Sequence, residues 1–508
     1  MANRPRHSIL RPAGYAALIE QYALAALPNW HVSFVGATTR RLEASDGTLE
    51  EFYPGRYWPG DALGAQLEFA FKYDGVNLGI LAQLFKRVQP QELVEYIQSK
   101  PSGKTARRIW FLYEWLTKKS LPIEDATRGN YVDLLDPELH YTVSTPQMSR
   151  RHRVRNNLLG TQAFCPQVRR TLRLEKFEAS DLTQRCQAVL DEFAPDLLRR
   201  ALGFLYTRET RSSFAIEHIQ PDSSRTERFV TLLQNAGRED LCSKSQLIYL
   251  QNNTVDPRFC DSDYRTTQNY VGQSIGWRER VHFVSPKPED LEALMQGLIE
   301  CHQQLRGGLD SAVVHAAVVS FGFVYLHPFE DGNGRIHRLL IHNILAQRGF
   351  TPPGFIFPVS AIMKSAPEDY DAALEAFSAP LMRLIDFDLD AQGQMEVHSE
   401  TASLFRYIDL THQTESLFDF ITRTIETELV AELTFLERYD RSVEAIQNIV
   451  DMPNRLLDLL IRCCRQNDWK LSARKRASHF ELLTDEEVAR VEVALASINA
   501  TPNPPPAD

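Results

Sequence analysis

Residues 327–338 read HPFEDGNGRIHR. Gly332 and Gly334 put little bulk beside the backbone, so their amides can approach an anion closely and left-handed conformations cost them little. A helix that begins near Asn333 aims its open N–H groups at the same point. Arg335 and Arg338 lie three apart and share a face of that helix. Two guanidiniums beside a nest of amides make a cradle for a polyphosphate. Asp331 stands at its lip, where a carboxylate close to phosphates needs a cation in between. Mg²⁺ suits that place, because it takes one or two carboxylates together with phosphate oxygens. His327 has an ordinary pKa of about 6.5, so much of it is neutral at cellular pH. It can take the proton of a hydroxyl as that oxygen attacks phosphorus, a contribution of roughly 10²–10⁴-fold. Phe329, between polar neighbours, is expected to anchor the loop in the core. A chance occurrence of H-x-F-x-D-G-N-G-R-x-x-R in a chain this long is far below about one in a million.

The flanking segments must hold these residues in place. SAVVHAAVVSFGFVYLHPF (311–329) is interrupted by His315 and Ser320 and falls short of a membrane span. It is expected to be a helix buried on all sides. RIHRLLIHNILAQRGF reads as the next helix, with Ile336, Leu340 and Ile344 along one side and Gly349 as its stop. Upstream, Leu291, Leu294, Met295, Leu298, Ile299, His302 and Leu305 form a helical stripe. His302 on that stripe is expected to be a hydrogen-bonded core or rim histidine rather than a ligand. YRTTQNYVGQSIGWRERVHFVSP (264–286) suggests a β-hairpin turned at Gly276-Trp277, with Val281 and Phe283 alternating against polar neighbours.

HPFEDGNGRIHR resembles the signature of the Fic (Fic/Doc) family, with every position of the signature met. The stripe helix, the apolar helix and the helix after the motif are similar to the Fic core, and RTTQNYVG…VHFVSPKP resembles the segment where that family carries a hairpin flap. The resemblance covers about 265–385. It implies a mainly α fold: a Fic-type helical core with a small β-hairpin flap. It also implies transfer of AMP from ATP to a protein Ser, Thr or Tyr hydroxyl. On it, His327 is the base and Asp331 holds Mg²⁺. Gly332, Asn333, Gly334 and Arg335 contact the phosphates, and Arg338 grips the γ-phosphate. The flap pairs with the target's backbone as an added strand.

SSFAIEHI (212–219) places Ser213 and Glu217 at i, i+4. Alone, this is an ordinary exposed helical pair. Beside the signature it resembles the family's inhibitory motif, [S/T]-x-x-x-E-[G/N], whose Glu pairs with the second signature arginine, here Arg338. His218 stands where the motif has Gly or Asn. A helix N-terminal to the core resembles the second of the family's inhibition classes. In some relatives such a Glu helps water remove AMP from the target.

The whole chain sets the frame. Its 508 residues, 43% apolar, suffice for two or three domains. The expected division is a helical segment 1–200 for target docking and a catalytic segment 201–388, with the inhibitory helix near 205–220 and the flap near 265–285. A helical segment 389–499 and a disordered tail 500–508 follow. A net charge of −10 argues against a protein that coats nucleic acid. Seven cysteines without a CxxC pair argue against a disulfide framework or a structural zinc site. MANRPRHSILRPAGYAALIEQ lacks a long apolar run before a cleavage site, and a cytoplasmic protein without a membrane partner is expected. PSGKT (101–105) lacks the glycine of a phosphate loop and is expected to be a turn. The basic stretch KLSARKRASHF (470–480) is expected to be a solvated helix face. It is the sole support for another class of function, a DNA-binding regulator acting through its C-terminal helices. Removal of AMP, or transfer of another nucleotide or of phosphate, stays open at the same site, as do self-modification and a homodimer.

Overall fold

The computed structural model describes residues 10–36, 40–43, 48–275, 278–352 and 354–500. Gly276 and Trp277, expected to turn the hairpin, lie outside the described residues, as does the tail 501–508. The protein is mainly helical with small sheets, the expected class. It folds as two compact units, each made of segments distant in sequence. The first comprises Met1–Lys176, Asn235–Arg348 and Pro367–Phe418; the second comprises Phe177–Gln234, Gly349–Ala366 and Asp419–Asp508.

The first unit opens with a feature that a helical reading of residues 1–200 misses. Strands Arg11–Ala13, His31–Gly36, Leu49–Pro54 and Arg40–Glu43 lie in that spatial order as one sheet. His31–Gly36 and Leu49–Pro54 pair parallel. HVSFVG buries every second residue, His31, Ser33 and Val35, which is the period of a strand. Two of those buried residues are polar, so the alternation does not show as a hydrophobic pattern. Helices follow at Leu63–Phe69, Leu78–Arg87 and Lys104–Thr117, in keeping with the helical segment expected here. Asn77 caps the second by accepting the Ile80 N–H. The first three residues of PSGKT form the expected turn, with the Gly103 N–H on the Lys100 carbonyl at 2.9 Å, and Lys104 starts the next helix.

The core of this unit holds three consecutive helices. Pro288–Gly308 buries the whole predicted stripe, including His302. Ala312–Leu326 buries thirteen of its fifteen residues. A methyl group added at Gly322 would stand 2.8 Å from the Phe164 ring and 3.0 Å from Leu298, so these side chains pack directly on the helix backbone there. His302 is satisfied as expected, 3.0 Å from Asp240 Oδ1 through Nε2 and 3.0 Å from His315 Nε2 through Nδ1. Asn333–Gln347 is the third helix, and Gly349 beyond it has φ 67°. Among the described residues, no helix is long and apolar enough to cross a membrane.

In the second unit, Pro195–Ile216 packs against Val359–Ser365 and Val430–Gln447. Asn454–Arg465 and Asp485–Asn499 surround a separate core of Leu457, Leu460, Cys464 and Leu495. Thr484 caps the last helix in a reciprocal capping box with Glu487. The basic stretch forms the short helix Ala473–His479 with no buried residue, a solvated face as expected. All seven cysteines are free thiols, Cys260 exposed and the others buried.

Candidate active site

Ala312–Leu326 ends at His327, whose backbone is left-handed at φ 48°, ψ 58°. Its N–H closes the helix on the Phe323 carbonyl at 3.0 Å. That conformation costs a non-glycine residue roughly 1–2 kcal/mol, and it is part of what starts the motif loop. The ring is fixed by its own helix, with Nδ1 3.2 Å from the Val324 carbonyl. A carbonyl can only accept, so Nδ1 carries the proton and Nε2 keeps its lone pair. Burial pushes the imidazole down to about 4; the Val324 carbonyl opposes this, and the charge of Arg265 adds to it. The half-buried ring is therefore neutral at pH 7, with its free lone pair at Nε2.

Phe329 anchors the loop as expected, fully buried with ring centroids 5.7 Å from Tyr264 and 6.4 Å from Phe323. Asn333 braces the loop from inside. Its side chain accepts the Phe329 N–H at 3.1 Å and donates to the Phe329 carbonyl at 2.7 Å. With both ends of its amide so engaged, the phosphate contact expected of Asn333 falls to its backbone N–H. No side chain caps the helix Asn333–Gln347, whose N-cap is Gly332. Its first N–H groups have no acceptor within the helix and are open to an anion. Gly334, at the second helical position, is partly exposed. Gly332 has φ 93°, and a Cβ there would lie 3.0 Å from Val255 Cγ1 and 3.2 Å from Thr254 Oγ1. Conformation and space both require glycine.

Charge is arranged around that helix end. Asp331 Oδ1 accepts the Gly332 N–H at 2.6 Å and Arg335 Nη2 at 2.5 Å. Arg335 is fully buried and also donates to the Thr254 carbonyl at 2.9 Å. The guanidinium thus ties the loop to the end of the helix Lys244–Thr254. Arg338 lies three residues on, sharing that face and buried. The Asp331 side chain is 46% exposed. Among the described residues, no three His, Cys, Asp or Glu side chains gather into a metal cage. One exposed carboxylate beside a phosphate cradle still fits Mg²⁺, which completes its shell with phosphate oxygens and water.

Two further residues hold the loop, and neither stood out in the sequence. The hairpin strands Tyr270–Ile275 and Arg278–Val284 run antiparallel, with a register shift between Val271 and Gly272. At their feet, Asn269 Nδ2 donates to the Phe329 carbonyl at 3.0 Å. Arg265, buried, donates through Nε to the His327 carbonyl at 2.9 Å, through Nη1 to Thr267 at 2.7 Å and through Nη2 to Pro286 at 2.6 Å. Its backbone N–H reaches the Pro328 carbonyl at 2.9 Å. One side chain therefore joins both feet of the hairpin to His327. Burial pushes its guanidinium down to about 10, still charged at any working pH.

Ser213 and Glu217 close the helix Pro195–Ile216 in the second unit. Ser213 is fully buried in the last turn, and Glu217 is the C-terminal cap, its N–H 3.1 Å from the Phe214 carbonyl. His218 follows at φ 57°, the left-handed conformation that Gly or Asn would adopt more cheaply at this place.

Residues 241–345 match the Fic/DOC family. The protein adenylyltransferase Fic of Culex quinquefasciatus is 37% identical over 93 residues, covering 18% of this chain and 16% of that protein. The protein adenylyltransferase Fic of Nematostella vectensis is 37% identical over 89 residues, covering 18% and 19%. The chain thus spans less than a fifth of the length of these curated relatives. Among solved structures, a Fic family protein from Desulfovibrio desulfuricans G20 aligns with a TM-score of 0.38 at 15% identity, over 61% of this chain and 94% of that one.

Proposed function

The chain belongs to the Fic/DOC family through residues 241–345, and from that premise we propose that it is an autoinhibited protein adenylyltransferase. The substrates are ATP and a protein Ser, Thr or Tyr hydroxyl. The hydroxyl oxygen attacks the α-phosphorus, the bond from that phosphorus to the bridging oxygen breaks, and pyrophosphate leaves. His327 Nε2 receives the hydroxyl proton. The amides of Asn333 and Gly334 and the guanidinium of Arg335 hold the phosphates, with Arg338 on the γ-phosphate. Asp331 would hold Mg²⁺, which neutralises phosphate charge when bound. The carrying observation is the His327 ring, neutral and with Nδ1 committed to Val324, in the loop that leads to an uncapped glycine-started helix.

Inhibition belongs to the same proposal. Glu217 and the γ-phosphate are both anions suited to Arg338, and a carboxylate on that guanidinium excludes the productive pose of ATP. The test is incubation of the purified chain with Mg²⁺ and ATP labelled at the α- or the γ-phosphate, followed by mass spectrometry of the acceptor. Glu217→Gly is expected to raise self-modification by AMP, with the α-label retained, and His327→Ala to lower it by roughly 10²–10⁴-fold. Retention of the γ-label would replace AMP transfer by phosphate transfer. Full activity in His327→Ala would overturn the assignment of the base.

A further inference from the structure

The second unit holds a cleft of about 680 Å³ in which no signature residue takes part. Phe435 and Tyr439 line it from the helix Val430–Gln447, and Asp458, Arg462 and Arg465 from the helix Asn454–Arg465. Trp469 closes one side from the turn beyond, half-buried and held left-handed at φ 62° by its N–H on the Cys464 carbonyl at 2.8 Å. Arg462 and Arg465 lie i, i+3 on one helix face, both exposed, and neither forms an ion pair among the described residues. Arg465 lies over the Phe435 ring, 4.8 Å from its centroid. The acids of the cleft are already engaged, Asp458 by the Tyr439 hydroxyl and Glu432 by Arg208 at 3.9 Å. A positive, ring-lined cleft in a chain of net charge −10 is a local departure from the whole.

Each part matches one half of a common ligand. Two guanidiniums present paired N–H groups to phosphate oxygens. Aromatic faces accept any nucleobase by stacking. The volume is that of a small-molecule site. We propose that this cleft binds a nucleoside phosphate, with Arg462 and Arg465 on the phosphate and Phe435, Tyr439 and Trp469 around the base. The same chemistry is offered by a free mononucleotide and by the end of a single strand. This inference does not depend on the transferase reading.

Equilibrium dialysis of the full chain against AMP, 5′-phosphorylated hexathymidine and hexaglutamate tests it. In the double variant Arg462→Glu, Arg465→Glu, both positions being exposed, affinity for AMP or for the oligonucleotide should fall at least tenfold. Circular dichroism and self-modification at the signature should stay unchanged. A loss confined to AMP identifies a free nucleotide, and a loss confined to the oligonucleotide identifies a strand end. Phe435→Ala should weaken the same ligand while leaving inorganic phosphate unaffected. Unchanged isotherms in the double variant would overturn the proposal, as would hexaglutamate binding as tightly as AMP, since charge alone would then suffice.

Discussion

Arg265 does for the motif loop what no signature residue does: it fixes the carbonyl of His327, the proposed base. Its three side-chain hydrogen bonds go to the carbonyls of His327, Thr267 and Pro286, and only a planar fork can reach all of them at once. A lysine there keeps the charge but leaves buried carbonyls without donors, at roughly 1–3 kcal/mol each. The proposed phosphate cradle has its own supports, since Arg335 rests on Asp331 and Thr254. Arg265→Lys should therefore lower kcat for AMP transfer at least tenfold while changing ATP affinity little, with both read on the Glu217→Gly background. Equal losses in kcat and ATP affinity would mean that Arg265 supports the fold at large and not His327 in particular. The signature itself was legible because its chemistry needs fixed residue types at fixed spacing. Arg265 was not, because its partners are backbone carbonyls, which every residue has. The bracing role of the Asn333 side chain was hidden for a related reason: its amide completes the loop by bonding the backbone of Phe329, and nothing in the spacing separates that from a phosphate contact.

Gly332 marks the junction of loop and helix, and two effects meet in it. It needs φ 93°, and it faces Val255 and Thr254 at a distance where a methyl group would press on both. Gly349, two residues beyond the end of the same helix at Gln347, has φ 67° with no atom within 4 Å of an added Cβ. The pair separates backbone strain from crowding. Gly349→Ala should cost only the left-handed penalty, about 1–2 kcal/mol. Gly332→Ala should cost more and also weaken ATP binding several-fold, because relief of the contact shifts the helix end proposed to meet the phosphates. Denaturant titration and nucleotide binding on both variants check this. Equal destabilisation with unchanged ATP affinity would show that the neighbours yield freely. The three core helices were legible from apolar period and glycine punctuation alone. The N-terminal sheet was not, because its buried strand alternates through His31 and Ser33, polar residues that a hydrophobic pattern counts as solvent-facing. They lie beside the buried carboxylate of Asp74, with Ser33 Oγ at 2.5 Å and His31 Nδ1 at 3.6 Å. That satisfies polar groups inside a core through partners more than forty residues away.

The whole molecule interleaves its two units along the chain, a property of tertiary contact that no linear division of the sequence contains. The first unit also concentrates histidines that resist protonation, and its acid stability follows from them. Burial pushes His140 down to about 4, His327 to about 4, His337 to about 3 and His315 to about 2. Both ring nitrogens of His140 lack a hydrogen-bond partner, and the neighbouring Asp409 and Asp136 do not outweigh its burial and Arg169. In the unfolded chain each titrates near 6.5. Between about pH 6.5 and 4 the unfolded state therefore binds protons that the fold refuses, and stability falls as pH falls, by about 1.4 kcal/mol per pH unit for each group. Asp74 acts in the opposite sense, since burial raises its carboxyl to about 7 and the fold holds a proton there that the unfolded chain releases above about 4. Burial lowers His152 and His412 as well, while Asp261 and Asp290 are raised like Asp74 and His398 is raised by Asp388. The lowered imidazoles outnumber the raised groups and leave a net loss on acidification, in a window above the ordinary titration of exposed carboxylates. Urea denaturation followed by tryptophan fluorescence reports mainly on this unit, which contains Trp30, Trp58, Trp110 and Trp115, whereas the second unit contains Trp469. The midpoint should fall steadily from pH 6.5 to pH 4.5. His140→Phe should flatten that slope by one proton's share, because it removes a titrating group that makes no hydrogen bond to lose. A variant slope equal to that of the unmodified chain would mean that His140 takes up its proton in the folded protein at an ordinary pH, and that burial there does not exclude charge.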